Sequence, residues 1–160
     1  GAYGDGFLWV IVVAGETETF GGVVVKLDPR TGRSMHTYHV PDPGGWADIQ
    51  FLDHAIWLKG DDSGRLVELD TRSGATHVYD LPGWQSLTGL YGQNIALGEG
   101  DLWIRINSGR VLRVSPKTGS VIRAYPASRS AAGGWEAIAF GSLWIANFED
   151  DTVWRDRITG

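Results

Sequence analysis

The stretch LDTRSG at residues 69–74 is one of four copies of a short phrase, the others being LDPRTG at 27–32, VSPKTG at 114–119 and RDRITG at 155–160. Each copy ends an alternating apolar run with a polar side chain and closes on glycine, which is how a strand enters a tight turn. A second series keeps the same register: LWV, IWL, LWI and LWI set Trp9, Trp57, Trp103 and Trp144 upstream of the four phrases. Two markers recurring together about every 40 to 45 residues, in a chain with no sustained helical periodicity, are the pattern of β-propeller blades, each a four-stranded antiparallel sheet.

Working outward from 69–74, the second repeat reads as four strands at 47–52, 55–59, 65–70 and 76–81, joined by Asp53-His54, GDDSG and TRSG. In the first repeat the strands at 7–13 and 23–27 flank an extended hairpin loop, GETETFGG. The third repeat carries an insertion over 84–91 ahead of a strand near 94–97, and the fourth has strands at 135–140, 143–147 and 152–156. The expected fold is therefore all-β, a β-propeller segment of about four antiparallel four-stranded blades at 1–43, 44–83, 84–132 and 133–160. The chain opens on GAYGDGFLWV, which matches IALGEGDLWI of the third repeat, and stops on a TG turn, so the first and last blades are expected to be incomplete and the whole to be part of a larger propeller. Exposed sheet edges predict self-association or pairing with missing blades of a parent chain.

The repeated residues have packing roles. Asp28, Asp70 and Asp156, with Ser115 in the third copy, are placed to accept hydrogen bonds from turn amides two or three residues on. The tryptophans of the second strands are expected to pack between neighbouring blades.

Composition excludes several function classes. With 14 basic and 19 acidic residues, a net charge of −5 and no basic run, the chain has no footprint for nucleic acid. Its longest apolar run, 7–14, is far short of the roughly 20 residues that span a bilayer, so no membrane insertion is expected. There is no cysteine, hence no disulfide framework or thiolate chemistry. Nothing resembles a nucleophile elbow, an HExxH helix or a phosphate loop.

The unit GSLWIANFEDDTVWRDRITG at 141–160 resembles the repeat of YVTN/NHL-type bacterial propellers, and it is similar to quinoprotein repeats and to streptogramin (virginiamycin B) lyase-like propellers. The lyase resemblance implies a magnesium ion held by histidine and glutamate on one face. Near the matching positions, after the LW strand, this chain has Lys59, Arg105 and Asn147. The quinoprotein resemblance implies a tryptophan after each TG phrase, where tyrosine stands here. The wider family implies export, to the extracellular space or the periplasm.

The loops that converge at a propeller's channel entrance are the candidate binding surface. They contain Glu16, Glu18, Asp61, Asn107, Ser108 and a ligand-binding set of Trp46, Asp48, Asp62, Trp84, Gln85, Trp135, Glu136, Asn147 and Glu149. Clustered carboxylates suit a hard cation, Ca²⁺ or Mg²⁺, or a basic peptide. Tryptophans beside glycines in PGGW, PGW and AGGW suit a carbohydrate or another planar small molecule. His36, His39, His54 and His77 are scattered by the strand assignment and make no metal cluster. The expected function is a noncatalytic ligand- or protein-binding scaffold without a resident cofactor. The alternatives are a divalent-metal-dependent lyase or lactonase and a sensory domain of a larger regulator.

Overall fold

The computed structural model describes residues 1–14, 19–45, 47–60, 63–84, 95–106, 109–127, 134–147 and 151–159. Every regular element among them is a β-strand, and two compact units, Gly1–Asp80 and Leu81–Gly160, divide the chain.

The first unit holds two antiparallel sheets, each with its strands in chain order. One is β1 (Ala2–Gly4), β2 (Phe7–Ala14), β3 (Thr19–Leu27) and β4 (Ser34–His39); the next is β5 (Ala47–Leu52), β6 (Ala55–Gly60), β7 (Arg65–Asp70) and β8 (Thr76–Asp80). The second unit repeats the plan with β9 (Ile95–Gly98), β10 (Asp101–Ile106), β11 (Arg110–Val114) and β12 (Val121–Pro126), followed by a three-stranded sheet of β13 (Gly134–Ala139), β14 (Ser142–Asn147) and β15 (Thr152–Arg157).

The turns explain why these short segments pair. Each first hairpin has a two-residue connection whose central pair lies at positive φ: Asp5-Gly6, Asp53-His54, Glu99-Gly100 and Phe140-Gly141. Such a turn matches the right-handed twist of the strands it joins. In the second blade neither residue is glycine, and the unfavourable left-handed conformation is braced from outside. The His54 ring hydrogen-bonds the Asp5 carboxylate at 2.8 Å, and Thr71 donates to the His54 carbonyl through both its amide and its hydroxyl. That bond from His54 holds the Asp5 carboxyl below its usual range.

The TG phrases close the third hairpin. Asp28 Oδ1 accepts from the Arg30 and Thr31 amides, Asp70 Oδ1 from the Arg72 and Ser73 amides and the Ser73 hydroxyl, and Ser115 Oγ from the Lys117 amide. The Arg30 amide lowers the Asp28 carboxyl and the Ser73 amide lowers that of Asp70.

The first repeat differs from the sequence reading at GETETFGG. There β2 continues to Ala14 and β3 starts at Thr19, with Val13 opposite Phe20 and Ala14 opposite Thr19 beyond a register shift at Val12/Val13. Gly22, at φ +69°, supplies the bulge that lets the strand-favouring Thr19 and Phe20 rejoin the ladder.

Within each unit the blades pack face to face. In the first, Trp9 and Val24 form one core with Ile49, Ile56, Leu58, Val67 and Leu69 of the next sheet; in the second, Trp103, Val111 and Tyr125 do so with Leu143 and Ile145. Trp9, Trp57 and Trp103 are fully buried, whereas Trp144 is half-buried. The indole N–H of Trp9, Trp103 and Trp144 donates to the carbonyl five residues earlier, on Gly4, Gly98 and Ala139, at 2.9 to 3.2 Å. The equivalent N–H of Trp57 is buried and has no partner among the described residues.

The position across from each tryptophan on the third strand also repeats. Lys26, Arg113 and Arg155 lay their charge 5.1 to 5.4 Å from the rings of Trp9, Trp103 and Trp144. In the second blade Glu68 stands there instead. It accepts a 2.7 Å hydrogen bond from Tyr79, whose hydroxyl is pushed up to about 12 by burial and by that bond.

Candidate functional site

Two residues beyond the repeated tryptophan the second and third blades carry a cation, Lys59 and Arg105. Strand alternation puts each on the same face as its tryptophan, and both are buried, at 0% and 2% exposure. A buried charge costs several kcal/mol unless its donors are satisfied, and the surroundings of both side chains are built to do so.

In the first unit Lys59 Nζ donates to the carbonyl of Gly60 and, at 2.6 Å, to that of Ser63. It thereby ties together the two sides of the loop at 61–62. Asp48 stands directly across from Lys59 on β5. Ser63 Oγ donates to the Pro43 carbonyl and accepts from the Arg65 amide at 3.1 Å, while Asp42 accepts from the Gly44 amide at 2.8 Å. The 43–44 backbone lies so close to Gly60 that a Cβ there would overlap the carbonyls of Pro43 and Gly44. Glycine is required by this contact.

In the second unit the Arg105 guanidinium crosses to the neighbouring sheet. It donates to the Ala146 carbonyl at 3.2 Å and to Asn147 Oδ1 at 2.8 Å. Asn147, only 4% exposed, donates in turn to Thr152 Oγ1 at 3.5 Å, joining the strand ends on either side of 148–150. A side chain at Gly134 would meet the Ala146 carbonyl and the guanidinium itself, so that glycine makes the room the arginine occupies. Glu136 is buried on β13, across from Ile145 and on the side that faces Arg105's sheet.

The two arrangements perform the same task by different chemistry. Each is a buried cation at the base of a loop between a second and a third strand: Lys59 bridges the two sides directly, and Arg105 holds the Asn147 that does so.

Of the sequence-derived set, the structure brings Asn147 to Arg105, sets Glu136 on the same face of that blade, and pairs Asp48 with Lys59 across β5 and β6. Trp135, although adjacent to Glu136, points to the opposite face of β13 and is 55% exposed. Both residues lie within a strand instead of a loop. Trp84 follows β8, half-buried, with no partner for its indole N–H among the described residues. Trp46, Asp62, Gln85 and Glu149 lie outside the described residues, as do Glu16, Glu18, Asp61, Asn107 and Ser108. Among the described residues no three histidine, aspartate or glutamate side chains converge as a metal site. Lys59 and Arg105 were absent from the expected set. Their signal was the shared offset from tryptophan, WLK and WIR.

No protein-family model matches the chain, and no curated protein matches its sequence. Solved structures do match. The computationally designed Ika4 protein superposes with a TM-score of 0.73 at 16% identity over 99% of this chain and 89% of its own. The computationally designed Ika8 protein gives 0.68 at 16% identity over 98% and 45%, and BamB from Moraxella catarrhalis gives 0.62 at 14% over 88% and 46%. The chain thus spans less than half the length of the Ika8 and BamB chains. At such identities the likeness is one of fold, and with four antiparallel sheets of three or four strands it makes this an all-β β-propeller segment whose last described blade has three strands.

Proposed function

We propose that the protein is a noncatalytic binding scaffold that holds loops at the ends of its second strands for a protein, carbohydrate or other small-molecule ligand. The observation that carries this reading is the use made of Lys59 and Arg105. Both donate to strand ends and loop bases, so the adjoining segments at 61–62 and 148–150 grow from held roots. Rigid framework under variable loops is the usual design of a recognition surface. Asp48, Glu136 and Asn147 belong to this framework, and Asp62, Gln85 and Glu149 are the residues we assign to ligand recognition. The YVTN/NHL-type resemblance of the repeat supports the same reading, with export as the setting.

The test is calorimetric titration with Mg²⁺ and with Ca²⁺. A binding scaffold gives no stoichiometric heat with either ion. One tight equivalent of metal, lost in Asp62→Ala or Glu149→Ala, overturns the reading in favour of a metal-dependent propeller enzyme.

A further inference from the structure

Blade-to-blade packing in this protein joins two kinds of face. One is the tryptophan face, carrying Trp9 in the first blade and Trp103 in the third. The other presents the residues on either side of the next blade's tryptophan, Ile56 and Leu58 or Leu143 and Ile145. A further contact recurs at the end of the first strand. Phe51 lies against Gly4 and Ile138 against Gly98, so closely that neither glycine has room for a Cβ.

The fourth and the first blade also carry faces of these two kinds, and several of their side chains are exposed. On the fourth blade the tryptophan face is made of Trp144, Trp135 and Val153, the last two 55% and 68% exposed, and Ala139 stands at the position that is glycine in the first and third blades. On the first blade the opposing face presents Leu8 and Val10, the counterparts of Leu143 and Ile145. With them are Val12 at 40% exposure and Tyr3 at 66%, and Tyr3 is the counterpart of Phe51 and Ile138. Exposed aromatic and β-branched side chains contiguous on one sheet face mark an interaction site, and here its complement is part of the same sequence.

We propose that a second copy of this chain docks its first blade on the Trp144 face of the fourth, by the contact that already joins the blades within each unit. Tyr3 of one copy then sits over Ala139 of the other, and Leu8 and Val10 cover Trp144 and Val153. The faces differ, so the contact is heterologous and continues head to tail until it closes. Two copies in series match the length of the Ika8 chain, of which one copy covers 45%.

Light scattering reads the first consequence. The expected mass is at least twice 17.4 kDa, and Val153→Arg, a change on an exposed position, returns it to the monomer with an unchanged circular dichroism spectrum. The absence of native cysteine allows a second reading: when Tyr3→Cys and Ala139→Cys proteins are mixed under mild oxidation, the mixed disulfide should exceed both homodimers severalfold. A monomeric wild type would overturn the proposal. So would an oligomer that survives Val153→Arg, or random pairing of the two cysteine variants.

Discussion

At the scale of single residues, the four repeated indoles offer a comparison within one molecule. Trp103 is fully buried and donates to the Gly98 carbonyl at 2.9 Å, while Trp57 is equally buried and finds no acceptor among the described residues. Replacing either by phenylalanine removes a similar apolar area, but only at Trp103 does it also remove a made hydrogen bond, worth about 1 kcal/mol. Trp103→Phe is therefore expected to be more destabilising than Trp57→Phe by about that amount in urea denaturation. Equal losses would show that the N–H bond contributes nothing. The tryptophans and the turn aspartates were legible in the sequence because each acts through local geometry that four copies display together. The buried cations were not, because a lysine or arginine on a strand ordinarily reads as solvated surface. Ala146 and Asn147 of the neighbouring sheet, distant in sequence, make a place for Arg105.

At the scale of elements, glycine sets how closely backbones approach. Gly60 ends β6 where the 43–44 segment crosses it, and the same carbonyl of Pro43 that would be struck by a Cβ accepts the Ser63 hydroxyl. Gly60→Ala must therefore move the segment and break that bond together, with an expected loss of about 1 to 3 kcal/mol by thermal or chemical unfolding. Gly6→Ala, where no neighbour lies near, should show only the cost of its positive φ. If the two substitutions cost the same, close packing at Gly60 is not what fixes the residue. Strand positions in the second repeat were readable to within a residue because alternation and turn signals agree there. The start of β3 was hidden because Gly21 and Gly22 read as loop, although in the structure they carry a bulge within a continuing ladder.

At the scale of the whole molecule, the pH dependence of stability should be set by carboxylates. Asp5, Asp28 and Asp70 all have their acid strength raised by hydrogen bonds formed on folding, from His54 and from the amides of Arg30 and Ser73 respectively. Because their folded values lie below the ordinary value of 3.8, the stability they contribute is complete above it and is lost as pH falls through the folded values. Melting temperature is expected to be flat from neutrality down to about pH 4 and to drop below it. Asp5→Asn combined with Asp70→Asn should lower the plateau and shallow the drop, and an unaltered acid slope in that variant would place the dependence elsewhere. The first and third blades end their opening strand in glycine, Gly4 and Gly98, whereas the second and fourth end it in Leu52 and Ala139. In each unit a bulky group of the later sector thus fills a vacancy in the earlier one, so the natural piece to copy when lengthening this polymer is a doublet.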